Sequence, residues 1–233
     1  MSSVEAKLQQ VRTRIATACA TSQRPVQSVT LLAVTKTFGP QAVRDALAAG
    51  QHAFGENYVQ EALEKIESLA DVREQLEWHL IGPLQSNKTR VVAAHFDWVH
   101  TIDRLKLAER LSAQRPEHLP PLQVCLQVNI SGEGSKSGVA PEDALALAEA
   151  VSALPRLRLR GLMAIPEPAG DFDAQRAPHR ALARLLFDLN AAGQVLDTLS
   201  MGMSADLEAA IAEGATIVRV GSAIFGDRPR ADN

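Results

Sequence analysis

The chain has 233 residues, 46% of them hydrophobic and 4% aromatic, which suits one sizeable core of helices on a parallel sheet and excludes a disordered chain. Its 24 basic and 27 acidic side chains give a net charge of -3 and are interspersed, so nucleic acid and anionic membrane are poor partners and a small molecule is a better one. Two cysteines, Cys19 and Cys125, lie far apart, Cys125 within an apolar run, so buried thiols in a reducing cytoplasm are expected rather than a disulfide.

An amphipathic helix comes first, because Val4, Leu8, Val11 and Ile15 recur at helical spacing without the apolar stretch of a secretion signal. No apolar run approaches the roughly 18 residues of a membrane span. From residue 29 onward, runs of β-formers alternate with helical patterns. The expected strands are 29–36, 52–57, 77–82, 98–103, 122–130, 157–165, 198–202 and 216–221. Helices are expected over 40–49, 58–69, 87–95, 104–114, 141–154, 173–192 and 204–213, with Pro40 and Pro141 in first turns and Gly50, Gly193 and Gly214 just past the ends. Residues 166–178 read as a long loop.

Eight strands joined by crossovers of this length predict parallel pairing closed into a (β/α)8 TIM barrel. The expected arrangement is a single domain over 1–233, with residues 1–28 as N-terminal helix and lead-in and 29–227 as barrel. An open doubly wound sheet is the alternative. For a dinucleotide it would need a glycine-rich turn after its first strand, and residues 35–40 are not one.

Reactive groups in such barrels come from the C-terminal ends of the strands, and here those ends are polar almost throughout. Lys36 shares a strand face with Leu32 and Val34. Taken alone it reads first as a solvated loop lysine. Facing inward, its amine would sit where ammonium is disfavoured and attack on a carbonyl is open, which is Schiff-base chemistry. Arg219 projects from the last strand with no flanking acid, so it needs either a carboxylate from another strand or a ligand. The turn Gly221 to Gly226 could hold a phosphate through its amides and the Ser222 hydroxyl, and Ser200 at the neighbouring strand end could add a donor. Pyridoxal 5'-phosphate (PLP) satisfies all three features: aldehyde to Lys36, ring nitrogen to Arg219, phosphate to the Ser222 turn.

Ala33-Val-Thr-Lys36, Phe54-Gly-Glu-Asn-Tyr-Val-Gln60, Trp78-His-Leu-Ile-Gly-Pro-Leu-Gln-Ser-Asn-Lys88, Lys136-Ser-Gly138, Arg160-Gly-Leu-Met-Ala-Ile165, Leu199-Ser-Met-Gly-Met-Ser204 and Val218-Arg-Val-Gly-Ser-Ala-Ile-Phe-Gly226 together resemble the pyridoxal phosphate homeostasis protein family, small PLP-binding proteins similar to the N-terminal barrel of alanine racemase. The resemblance implies that Lys36 carries PLP as an internal aldimine and that Arg219 neighbours the pyridine nitrogen. It further implies that Ser200, Gly221 and Ser222 contact phosphate, and that Asn57 and Met163 line the site. The family often has Thr where this chain has Ser222, which keeps the hydroxyl. A monomer is implied, meeting PLP-dependent apoenzymes only transiently.

Other signals are set aside. Residues 131–138 invite a phosphate-loop reading, but its glycine positions hold Ile130 and Ser135, so a polar loop is expected. No metal site is expected from six histidines without ligand spacing. His79 and His100 read as strand-end hydrogen bonders, and Glu56 as the partner of a lysine before a general base. The expected function is to hold, buffer or deliver PLP, without turnover or catalytic residues; the alternative is a PLP-dependent amino-acid racemase. Against the alternative, the chain ends at Asn233 soon after the eighth strand, leaving Tyr58, its one tyrosine, as a poor second base.

Overall fold

The computed structural model describes residues 3–132 and 137–226. Strands β1 (Thr30–Val34), β2 (Ala53–Glu56), β3 (Glu77–Leu80), β4 (Trp98–Ile102), β5 (Leu122–Gln127), β6 (Leu157–Met163), β7 (Thr198–Ser200) and β8 (Ile217–Val220) pair in sequence order and close on themselves, all parallel. The seam pairs Thr30 with Ile217 through Ala33 with Val220. Around the barrel run α1 (Ser3–Thr21), α2 (Pro40–Ala48), α3 (Val59–Ser68), α4 (Thr89–His95), α5 (Leu105–Gln114), α6 (Ala144–Ser152), α7 (Phe172–Ala191), α8 (Leu207–Ala212) and α9 (Ser222–Phe225). The chain is a (β/α)8 barrel, as the alternation predicts.

Strand alternation divides the apolar residues into two layers. Ala33, Phe54, Trp78, Val99, Val124 and Val218 face outward into the larger core under the helices. Leu32, Val34, Ala53, Ile81, Trp98, Cys125, Met163 and Ile217 form a separate cluster that fills the lumen. Each fully buried side chain of this size contributes about 1.5 to 3 kcal/mol. Both cysteines are buried and free, and burial pushes the Cys125 thiol up to about 12.

Helix α1 buries Leu8, Val11, Ile15, Ala18 and Cys19, the face its periodicity predicts, and packs on α2, α8 and α9. Its arginines fasten it across the seam. Arg12 donates to the carbonyls of Ala49 and Gly50, Arg14 to Glu208 and the Ser204 carbonyl, and Arg24, just past the helix, to the carbonyls of Ile211 and Ala215.

Several expected elements run too long. Strands stop short at the C-terminal mouth because residues there leave the ladder for loops; β5 ends at Gln127, with only an isolated bridge from Val128 to Val139 beyond. Helix α8 begins at Leu207, since Asp206 folds back to accept from the Met203 amide at 2.6 Å. The loop after β6 ends at Asp171, whose side chain caps α7 by accepting from Ala174, so Pro178 sits inside a helix rather than in a loop. Residues 133–136 of the polar loop at 131–138, Lys136 among them, lie outside the described residues. Among the described residues, no helix is long and apolar enough to cross a membrane.

Candidate cofactor-binding site

Lys36 follows β1 by two residues. Pairing persists to Thr35, whose amide donates to Gly55 at 3.0 Å, and the chain then turns at Thr37 with φ +69°. A β-branched residue in the left-handed region costs about 1 to 2 kcal/mol, and the Thr37 amide offsets part of it by donating to Glu61 at 2.6 Å. The turn lets Lys36 continue the lumen face of Leu32 and Val34 while the backbone leaves toward α2.

Behind the strand a buried charge network fixes the same backbone. Lys65 Nζ, only 3% exposed, donates to the Thr35 carbonyl at 2.8 Å, to Glu56 Oε1 at 2.6 Å and to Glu61 Oε1 at 3.0 Å. The Thr35 hydroxyl donates to the same Glu56 oxygen, and Glu56 Oε2 is buried without a partner. Burial raises the Glu56 carboxyl above its ordinary range against the pull of Lys65. Glu56 is therefore a lysine's partner that braces the residue before Lys36.

Arg219 is 3% exposed and donates through Nη1 to Ser200 Oγ at 2.8 Å and through Nη2 to the Ala164 carbonyl at 2.9 Å. No carboxylate among the described residues forms an ion pair with it. Burial brings its guanidinium down to about 10, with Asp206 and Cys125 opposing, so it stays charged at neutral pH. The partners the structure gives Arg219 are thus a hydroxyl and a backbone carbonyl, rather than the carboxylate from another strand that the sequence allowed.

A cavity of about 430 Å³ opens at the C-terminal mouth and is lined by Lys36, Asn57, Ile81, Ile165, Met203, Ser204, Arg219, Gly221 and Ser222, among others. Gly221 brings β8 against β1: a Cβ there would lie 3.2 Å from the Val34 carbonyl oxygen. The amides of Ser222 and Ala223 precede the first internal bond of α9, from Ile224 to the Gly221 carbonyl. Gly82 presses on Asn57, since a Cβ at Gly82 would lie 2.0 Å from the Asn57 carbonyl oxygen. The Asn57 side-chain oxygen is itself buried without a partner.

Five expected site residues therefore share one cavity: Lys36, Asn57, Arg219, Gly221 and Ser222. Met163 and Ser200 are fully buried and absent from its lining. Met163 packs in the lumen, and the Ser200 hydroxyl is held by Arg219 and by His100 Nδ1 at 2.7 Å, beneath the cavity rather than on its wall. In its place Ser204 lines the cavity. Its signal is present as the second serine of Leu199-Ser-Met-Gly-Met-Ser204, displaced from the strand end by the left-handed turn at Gly202 (φ +91°). No group of three or more metal-ligating His, Cys, Asp or Glu occurs among the described residues.

An amine, a guanidinium and hydroxyls converging on one cavity suit a ligand with a carbonyl, a ring acceptor and an anionic group. The chain matches the alanine racemase N-terminal domain family over residues 7–229. A pyridoxal phosphate homeostasis protein of Pseudomonas aeruginosa is 61% identical over 228 residues, covering 98% of this chain and 97% of the relative. The protein of the same name from Vibrio cholerae is 54% identical with full coverage of both chains. Among solved structures, PipY of Synechococcus elongatus with PLP bound is 38% identical and superposes with a TM-score of 0.83, covering 96% of this chain and 100% of that one.

Proposed function

We propose that this chain, which belongs to the pyridoxal phosphate homeostasis protein family, holds PLP covalently on the Lys36 amine and acts in buffering or delivering it. The observation that carries this reading is the meeting of Lys36 and Arg219 in one cavity with the hydroxyls of Ser204 and Ser222. The residues fit the group, and the buried, unpartnered oxygen of Asn57 in the same wall leaves an acceptor for a ligand's donor. When bound, PLP supplies a reactive aldehyde and an electron-withdrawing ring.

The chain's own residues would divide the work. Lys36 supplies the amine, and Arg219, charged and buried, faces the ring nitrogen as a donor and disfavours its protonation. Ser204, Ser222 and the amides around Gly221 hold the phosphate, as is common after the seventh and eighth strands of this fold. Lys36 and Arg219 are the only ionisable groups lining the cavity among the described residues, and Tyr58 is 53% exposed and outside the lining. Racemisation needs a second acid–base group on the opposite face of the substrate. This supports a carrier without significant turnover over the racemase reading. We take the barrel with α1 as one cytoplasmic, monomeric unit that meets PLP-dependent apoenzymes transiently.

Borohydride reduction of the PLP-loaded protein followed by intact-mass and peptide analysis tests the assignment. A mass increment on the Lys36 peptide, absent in Lys36→Ala, is expected; equal labelling of Lys36→Ala overturns it. Lys36-dependent racemisation of alanine at ordinary enzyme rates, about 1 to 10³ per second, would replace the carrier with a racemase.

A further inference from the structure

Beneath the cofactor cavity the barrel lumen is crossed by an unbroken line of hydrogen bonds. Arg219 Nη1 meets Ser200 Oγ at 2.8 Å, Ser200 Oγ meets His100 Nδ1 at 2.7 Å, His100 Nε2 meets His79 Nδ1 at 2.8 Å, and His79 Nε2 meets Glu77 Oε1 at 2.8 Å. Every member but the last is buried; Glu77, the first residue of β3, is half exposed in a depression at the N-terminal mouth. The line therefore begins in the cofactor cavity and ends at the opposite face.

The chemistry of the two ends decides the direction of every bond. A guanidinium only donates and a carboxylate only accepts. Ser200 accepts from Arg219, which leaves its own proton for His100 Nδ1. At the other end His79 Nε2 must carry the proton given to Glu77, so the Nδ1 of a neutral His79 accepts from His100 Nε2. Each contact then has one proton and each ring is neutral. The reverse direction would require a charged His79 and would leave the Ser200 proton without an acceptor in the line. Around it, His79 stacks on Trp98 with centroids 5.2 Å apart, Arg160 of β6 lies over Trp98, and Cys125 of β5 and Asp206 before α8 face Arg219. Burial, His79 and Arg219 all disfavour a charged His100, which agrees with a neutral ring there.

We propose that Glu77 is a positioning residue for the cofactor: its carboxylate sets a one-way line Arg219→Ser200→His100→His79→Glu77, which holds the guanidinium in place and keeps its remaining donors turned to the cavity. This rests on the PLP reading for its consequence, but the direction of the line is a property of the protein alone. Glu77 thus acts on a ligand at the far mouth without touching it.

Nitrogen NMR of the PLP-free protein, labelled at histidine, reads the tautomers directly. Both His79 and His100 are expected to carry the proton on Nε2 in the wild type. In Glu77→Gln the amide can accept or donate, so a mixture of tautomers at both rings is expected, together with PLP binding weakened about fivefold, at the lower end of ordinary site-to-site coupling. Asp197→Asn, which removes a carboxylate from the same face but outside the line, should leave tautomers and affinity unchanged. A proton on Nδ1 of either ring in the wild type, or tautomers and affinity unaltered by Glu77→Gln, overturns the proposal. Loss of PLP binding by the wild type would instead sink the cofactor reading, while the tautomers still judge the line.

Discussion

Acidification should weaken the fold through His100, and the size of the effect follows from its place in the lumen. The ring is fully buried, and burial with the neighbouring His79 and Arg219 holds its pKa well below the usual 6.5. An unfolded imidazole takes up a proton near pH ~6.5. Between that value and the folded one the unfolded chain therefore binds one more proton, so stability rises with pH in this window and is lost on acidification. The slope approaches about 1.4 kcal/mol per pH unit once the unfolded imidazole is charged. His100→Gln removes this titration while keeping a polar side chain, and costs about 1 to 3 kcal/mol at neutral pH because Ser200 and His79 lose a partner. Its deficit against the wild type should shrink as the pH falls from ~6.5 toward ~5, by up to about 1.4 kcal/mol per pH unit. Taking the difference cancels the opposite trend of Glu56, whose raised pKa makes the folded state hold the extra proton. Urea denaturation of both PLP-free proteins at stepped pH measures it. Parallel stability curves across that range would refute a neutral, desolvated His100.

Lys65→Met should destabilise by about 3 to 5 kcal/mol, since it strands Glu56 in the core; adding Glu56→Gln should recover part of the loss, and denaturation of single and double variants checks this. Ser204→Ala combined with Ser222→Ala should weaken PLP more than pyridoxal, by about 1.5 to 3 kcal/mol per lost charge-assisted bond; equal weakening in titrations with both would place the phosphate elsewhere. Gly82→Ala should cost about 1 to 3 kcal/mol of stability and lower PLP affinity, because its methyl group collides with the Asn57 backbone. Thermal melting with and without PLP separates the two effects.

Periodicity made the barrel legible, because outward and lumen faces alternate along every strand and each helix carries one apolar stripe. Lys36 and Arg219 were legible for the same reason: a charge on a lumen-facing register is conspicuous against Leu32, Val34 and Ile217. Ser200 shows where that argument fails. Strand register fixes the face a side chain takes but not its depth, and Ser200 lies one layer below the mouth, where Arg219 and His100 claim its hydroxyl. Ser204 was hidden because a left-handed glycine and the Asp206 turn, rather than a strand, deliver it to the cavity. The line from Glu77 to Arg219 joins four strands and has no footprint in local spacing.

The fastening of α1 across the seam bears on how the chain reaches this fold. β1 closes on β8, and Arg14 and Arg24 take their partners 187 to 194 residues further along. Contacts of such separation are the slowest kind to form. On a ribosome adding about 5 to 20 residues per second, the first strand and its helix would wait roughly 10 to 40 s for the segments that complete them. Until then the β1 edge and the apolar stripe of Leu8, Val11 and Ile15 stand open to other chains. The lysine strand thus emerges early and is enclosed last, and a chaperone that shields the amino-terminal helix during synthesis should raise the yield of folded protein more than one acting after release.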